Sequence, residues 1–250
     1  MMQELYPLAV VALGFGVLGI TGFGSALISV PLLAWVWPLE QVVPLVLMLD
    51  FVASLVLGGM QWHLIRLREL LGLFAWMLAG VVLGVAVSSL PGVLQSGALL
   101  LGLGGYVAWV GAQGLRGRPA VAGAWFRRAD LSGLAGGVIE VLWGVSGPVI
   151  VSHLVQRIPD PLVLRAHISL SLMFISGLAC LSLGWSGRVS SPEVLSWLPR
   201  LMAVALVSMW IAHRWSKRAP VAQLRRAILG LLLASGLALM GQGLRQLTRS

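Results

Sequence analysis

The chain reads as an all-α, polytopic integral membrane protein built from two homologous halves, and three observations carry that reading. Of its 250 residues, 58% are hydrophobic and only 10% are charged, with a mean hydropathy of +0.95, whereas a soluble domain needs roughly 25% charge to cover its surface. Lipid is therefore the solvent. The apolar residues also gather into eight runs near the length that crosses a bilayer, about 20 residues at 1.5 Å rise each. Finally, two of those runs are interrupted at matching places, which makes each half begin with a broken or re-entrant helix followed by three transmembrane helices.

This composition excludes cytosolic enzymes, nucleic-acid binders and disordered regulators. The net charge of +9, from 17 Lys+Arg against 8 Asp+Glu, does not point to nucleic acid, because the basic residues lie between the apolar runs and mark topology. The lone Cys180 builds neither a disulfide framework nor a cysteine metal site. No metal-ligand spacing, nucleophile elbow or phosphate loop is present, so no enzyme activity, cofactor or metal is expected. Gly22-Phe23-Gly24 is too short and too apolar in context for a nucleotide fingerprint. Met1 to Pro7 has no basic segment and no small-residue cleavage site after it, so every residue is expected in the mature chain.

Taken in order, the runs cover residues 5–37, 41–61, 70–90, 93–115, 131–156, 162–184, 195–213 and 227–244. The first has 33 residues, roughly 50 Å if it were one helix, and is interrupted at Thr21-Gly22-Phe23-Gly24. Run 131–156 is interrupted at Gly144-Val145-Ser146-Gly147-Pro148. At bilayer depth, backbone outside a helix survives only where protein or a watery cavity satisfies it. A shift of 122 positions lays Gly14 on Gly136, Gly22 on Gly144, Ser54 on Ser176, Gly58 on Cys180 and Arg66 on Arg188. The expected organisation is a first repeat over 1–115, a basic cytoplasmic linker over 116–130 and a second repeat over 131–250.

Basic residues distinguish two topologies, because cytoplasmic loops are enriched in Lys and Arg. If every run crosses once, 10 basic residues fall inside and 7 outside; if both broken runs fold back as hairpins, 13 fall inside and 4 outside. The hairpin topology fits better. It gives each half an odd number of crossings and so predicts inverted repeats, with the N-terminus outside. Trp35, Trp37, Trp62, Trp125, Trp185, Trp197 and Trp215 sit at predicted ends, as amphipathic rings do, while Trp143 adjoins the second break.

Each break starts a new half-helix whose unpaired N–H groups and positive dipole end suit a small anion. The first site would offer Thr21, Gly22, Phe23, Gly24 and Ser25, and the second Trp143, Gly144, Ser146, Gly147 and Pro148. The competing reading of the glycines is close helix packing. Arg165, after Pro159-Asp160-Pro161, either draws anions in from the cytoplasm or snorkels to the headgroups. Asp50, central in its run, is too costly to face lipid, so it meets a cavity or a partner, or carries a proton. Glu140, one turn before the second break, is a candidate proton carrier or else a structural partner of the unwound backbone. His153, one turn beyond that break, is a third titratable candidate or a packed, hydrogen-bonded histidine.

Gly19-Ile20-Thr21-Gly22-Phe23-Gly24-Ser25-Ala26-Leu27-Ile28-Ser29-Val30-Pro31-Leu32-Leu33 resembles the first signature of the sulfite exporter TauE/SafE family. Gly144-Val145-Ser146-Gly147-Pro148 and Leu164-Arg165-Ala166 resemble its repeated Gly-rich motif and the Arg that follows. The resemblance runs over almost the whole chain and implies a multi-pass permease of the bacterial inner (plasma) membrane. The implied cargo is a small sulfur-containing or organic anion, such as sulfite, sulfoacetate or another sulfonate, as in permeases of the 4-toluene sulfonate uptake type. The family is described with seven or eight spans, so the hairpin topology departs from that simple count. Glu140 stands where a small or neutral polar residue is expected. The expected function is a secondary transporter driven by the proton gradient. An anion channel of the same architecture and a non-transporting membrane assembly protein are the alternatives.

Overall fold

The computed structural model describes residues 2–93, 96–117, 128–185, 191–215 and 221–248. Arg118, Trp125, Arg127, Arg188, Lys217 and Arg218 lie outside them. The first half contains α1 (Met2–Thr21), α2 (Ser25–Leu33), α3 (Leu39–Met60), a 3-10 turn at Trp62–Leu64, α4 (Leu67–Ser88) and α5 (Gly97–Leu115). The second contains α6 (Ala129–Trp143), α7 (Gly147–Val155), α8 (Pro161–Trp185), α9 (Pro192–Leu195), α10 (Leu198–Trp215) and α11 (Val221–Leu247). Five described segments are long and apolar enough to cross a membrane: α3, α4, α5, α8 and Ile228–Leu247 of α11. The expected run 195–213 is not among them; from Leu198 onward it is the single helix α10, whose last turn carries His213 and Arg214.

Local chemistry sets the helix ends. The Ser96 hydroxyl accepts from Leu99 N–H at the start of α5, and the Asp160 carboxylate accepts from Leu162 N–H at 2.8 Å at the start of α8. The breaks are glycine-made: Gly22 and Gly24 have φ of +86° and +99°, and Gly144 ends α6 at φ +68°. Residues with a β-carbon are strained in that left-handed region.

Both broken runs turn back on themselves. Gly14 of α1 lies against Ser25 and Ser29 of α2, and the Tyr6 hydroxyl donates to the Leu32 carbonyl at 2.9 Å. In the second half Gly136 of α6 lies against Ile150 of α7. Neighbouring helices give the directions. Gly80 meets Leu134 and Gly137 while Gly84 meets Val138 and Val141, so α4 and α6 run parallel. Glu69 approaches His167 and Phe74 stacks on Phe174, so α4 and α8 are parallel too. Hence α6 and α8 point the same way, and α7 is a return stroke between them.

Glycine lets the long helices approach closely. The pair α5 and α11 packs Gly97 on Gly243, Gly104 on Gly236 and Gly111 on Leu229 and Leu233, an antiparallel seam of small residues. The pair α3 and α8 is also antiparallel, with Gly58 beside Ser169 and Phe51 on Gly177. α1 packs on α10 just as α6 packs on α4.

Candidate functional site

The two breaks lie together. A β-carbon built on Gly147 would stand 3.7 Å from the Phe23 ring, and one built on Gly144 would stand 3.8 Å from the Val30 side chain. The starts of α2 and α7 are therefore neighbours, joined through α3 and α8.

At the first break α1 runs out of carbonyl partners at Thr21. The Thr21 hydroxyl stands 2.9 Å from the Val17 carbonyl and 2.5 Å from the Phe23 carbonyl, donating to one or the other, and accepts the Phe23 N–H at 3.3 Å. Arg165, half-buried on α8, reaches across to α1. Its guanidinium donates to the Gly19 carbonyl and lies 3.0 Å from His213 Nδ1 on α10. Its stem packs on Gly22, where an added β-carbon would meet Arg165 Cγ at 3.0 Å. A cation thus sits at the carbonyl end of α1, the favourable end of the helix dipole. At the start of α2 the buried Ser25 hydroxyl donates to Asp50 Oδ1 of α3 at 2.5 Å.

The second break is more deeply enclosed: Gly144, Val145, Ser146, Gly147 and Pro148 are all buried, whereas Thr21 is exposed and Phe23 and Gly24 are half-buried. The buried Glu140 carboxylate accepts the Ser146 N–H on Oε2 at 3.1 Å and the Ser176 hydroxyl on Oε1 at 2.5 Å. A carboxylate here occupies the positive end of α7. α5 holds the other side. The Tyr106 hydroxyl donates to the Val145 carbonyl at 3.3 Å, and the Trp143 indole N–H donates to the Leu99 carbonyl at 3.1 Å, with the two rings stacked.

Of the residues singled out from sequence, Thr21, Gly22, Phe23, Gly24, Ser25, Asp50, Glu140, Gly144, Ser146, Gly147 and Arg165 gather around the meeting breaks. Pro148 lies within the first turn of α7, and Trp143 is directed at α5. His153 is buried further along α7. Arg165 does not simply snorkel outward. The partners Tyr106, Ser176 and His213 belong to helices that nothing in the local sequence connects to the breaks. Among the described residues no three His, Cys, Asp or Glu side chains cluster to hold a metal ion.

Comparison with known proteins identifies the family. The model of the family described as Sulfite exporter TauE/SafE matches residues 6–239. The chain is 31% identical over 199 residues to a protein of Comamonas testosteroni named "Probable inner membrane transporter protein TsaS", covering 78% of this chain and 81% of that protein. No solved structure matches. With both glycine-broken segments and the helices around them inside the matched region, this chain belongs to the sulfite exporter TauE/SafE family.

Proposed function

We propose that this chain is an inner-membrane secondary transporter for a small sulfur-containing or organic anion, such as sulfite or a sulfonate, driven by the proton gradient. The observation that carries this reading is the meeting of two half-helix N-termini, α2 and α7, with Arg165 at the carbonyl end of α1 and its stem packed on Gly22 beside the first of them. Two positive dipole ends facing one place, plus a guanidinium, favour an anion and disfavour a cation or a neutral solute. The Ser146 hydroxyl adds a donor, the Ser25 hydroxyl becomes one when it leaves Asp50, and Trp143 and Pro148 fix the second half-helix. The antiparallel pairing of α3 with α8 and of α5 with α11 supports inverted repeats, and the return strokes α2 and α7 support the hairpin topology. Asp50, held by Ser25, and Glu140, held by Ser146 and Ser176, are with His153 the proposed proton carriers.

Two experiments test this reading. In proteoliposomes the protein should move at least one of sulfite, thiosulfate, organic sulfonates and carboxylates, and that anion should raise the melting temperature, since a ligand of the folded form stabilises it. Absence of both effects for every anion contradicts it. Reporter fusions after Arg157 and after Lys217 should both report the cytoplasm; opposite answers remove the hairpin topology.

A further inference from the structure

The half-helix start that the transported anion would use on the second hairpin is already taken. Glu140 Oε2 accepts the Ser146 N–H at 3.1 Å, and Glu140 is only 2% exposed. Glu140 therefore stands where an anion's oxygen would stand. We infer that Glu140 is the resident anion of the second hairpin, and that cargo takes its place at Ser146 only when a proton has neutralised it. This inference rests on the function proposed above and adds a rule to it: anion binding and proton uptake occur on one pair of groups.

The chemistry of the two partners supports the exchange. Ser146 N–H is a pure donor, and its bond to an ionised carboxylate is charge-assisted; to a neutral carboxyl it is an ordinary hydrogen bond that a full anion outcompetes. Ser176 differs because a hydroxyl both donates and accepts. It donates to Oε1 at 2.5 Å when Glu140 is ionised, and by rotating it accepts from the same oxygen once that oxygen carries a proton. Oε1 thus has a partner in either charge state, while Oε2 holds its amide strongly in only one of them.

The groups facing Glu140 leave a proton as the means of neutralising it. Among the described residues they include Asp50 on α3, Tyr106 on α5, the start of α7 at Ser146, and Ser176 and Cys180 on α8. None of these is a cation. The first hairpin is different, because Arg165 supplies a permanent positive charge there. In the exchange a proton from the aqueous phase bonds to Oε1, Ser176 turns to accept it, and the Ser146 N–H passes to an oxygen of the anion. On release the anion leaves, the proton returns to water, and Glu140 recaptures the amide. One proton accompanies one anion.

The test is calorimetric titration of the full-length protein in detergent with methanesulfonate and with benzenesulfonate, whose single charge does not change with pH. Titration in two buffers of different ionisation heat counts the protons. The parent should take up about one proton per anion, with affinity falling about tenfold per pH unit on the alkaline side. Glu140→Gln should bind with about zero proton uptake and no such slope. Uptake that persists in Glu140→Gln, or a parent that binds without uptake, overturns the inference while leaving the anion site in place. A parent that binds none of the sulfonates, sulfite, thiosulfate or carboxylates overturns the proposed function and this inference together. Should Glu140→Gln fail to fold, infrared difference spectra of the parent and Ser176→Ala decide. Anion addition should convert a carboxylate band into a protonated carboxyl band, and Ser176→Ala should move that band. A band that does not form, or does not move, places the proton elsewhere and rejects the assignment.

Discussion

The first and second hairpins share one backbone design and differ in what completes it. In each, a helix ends in left-handed glycine, and a nine-residue half-helix folds back along it. At the first break the surplus carbonyl of Gly19 is met by the Arg165 guanidinium, and Thr21 satisfies the turn locally. At the second, the surplus amide of Ser146 is met by the Glu140 carboxylate, and Tyr106 donates to the Val145 carbonyl. Each side chain matches the sign of the helix end it caps. The first hairpin thus carries a permanent cation, Arg165, beside the Asp50 carboxylate that Ser25 holds, whereas the bonded charge at the second is the Glu140 carboxylate.

Blocking either half-helix start should have the largest effect. Ser146→Leu and Ser25→Leu place a bulky apolar chain where donors are needed, so each should abolish flux in proteoliposomes while the melting curve shows a folded protein. Unchanged flux in either would move the site. The next effect separates the hairpins. Arg165→Gln should lower flux by more than about tenfold at every pH, since it removes a charge-assisted bond and a permanent charge. Arg165→Lys should recover part of it, because an ammonium reaches one acceptor but lacks the guanidinium fork. A loss confined to one end of the pH range would contradict the fixed-charge role.

Smaller effects sharpen the same contrast. Tyr106→Phe leaves the Val145 carbonyl without its hydroxyl partner, a cost of about 1–3 kcal/mol, and should lower the melting temperature and raise KM more than it lowers the maximal rate. Gly22→Ala and Gly144→Ala both incur left-handed strain of about 1–2 kcal/mol. At Gly144 the nearest side-chain atom to the new methyl is 3.7 Å away, but at Gly22 it meets Arg165 Cγ at 3.0 Å. Gly22→Ala should therefore reduce flux further than Gly144→Ala; equal reductions would mean that Arg165 is not held at Gly22.

The breaks were legible because glycine and proline clusters interrupt apolar runs that otherwise continue, and that signal is local. The return strokes followed from the placement of basic residues, a property of whole loops. Asp50 and Glu140 stood out because isolated carboxylates in such runs need a reason. Their partners did not. Ser176 lies 36 positions from Glu140, and Arg165 lies 146 positions from Gly19. Tyr106 resembles any aromatic in a glycine-rich helix until α5 is packed against the second break. Sequence periodicity reports what a segment does alone, whereas a site between helices depends on which helices meet.

The most direct measurement is anomalous scattering from crystals of the protein grown with a bromobenzenesulfonate. The bromine peak, together with the sulfonate density beside it, should place the anionic group between Phe23–Ser25 and Ser146–Gly147, with Ser146 N–H turned to a sulfonate oxygen. A peak far from both segments, with Glu140 still holding that amide, would contradict the account.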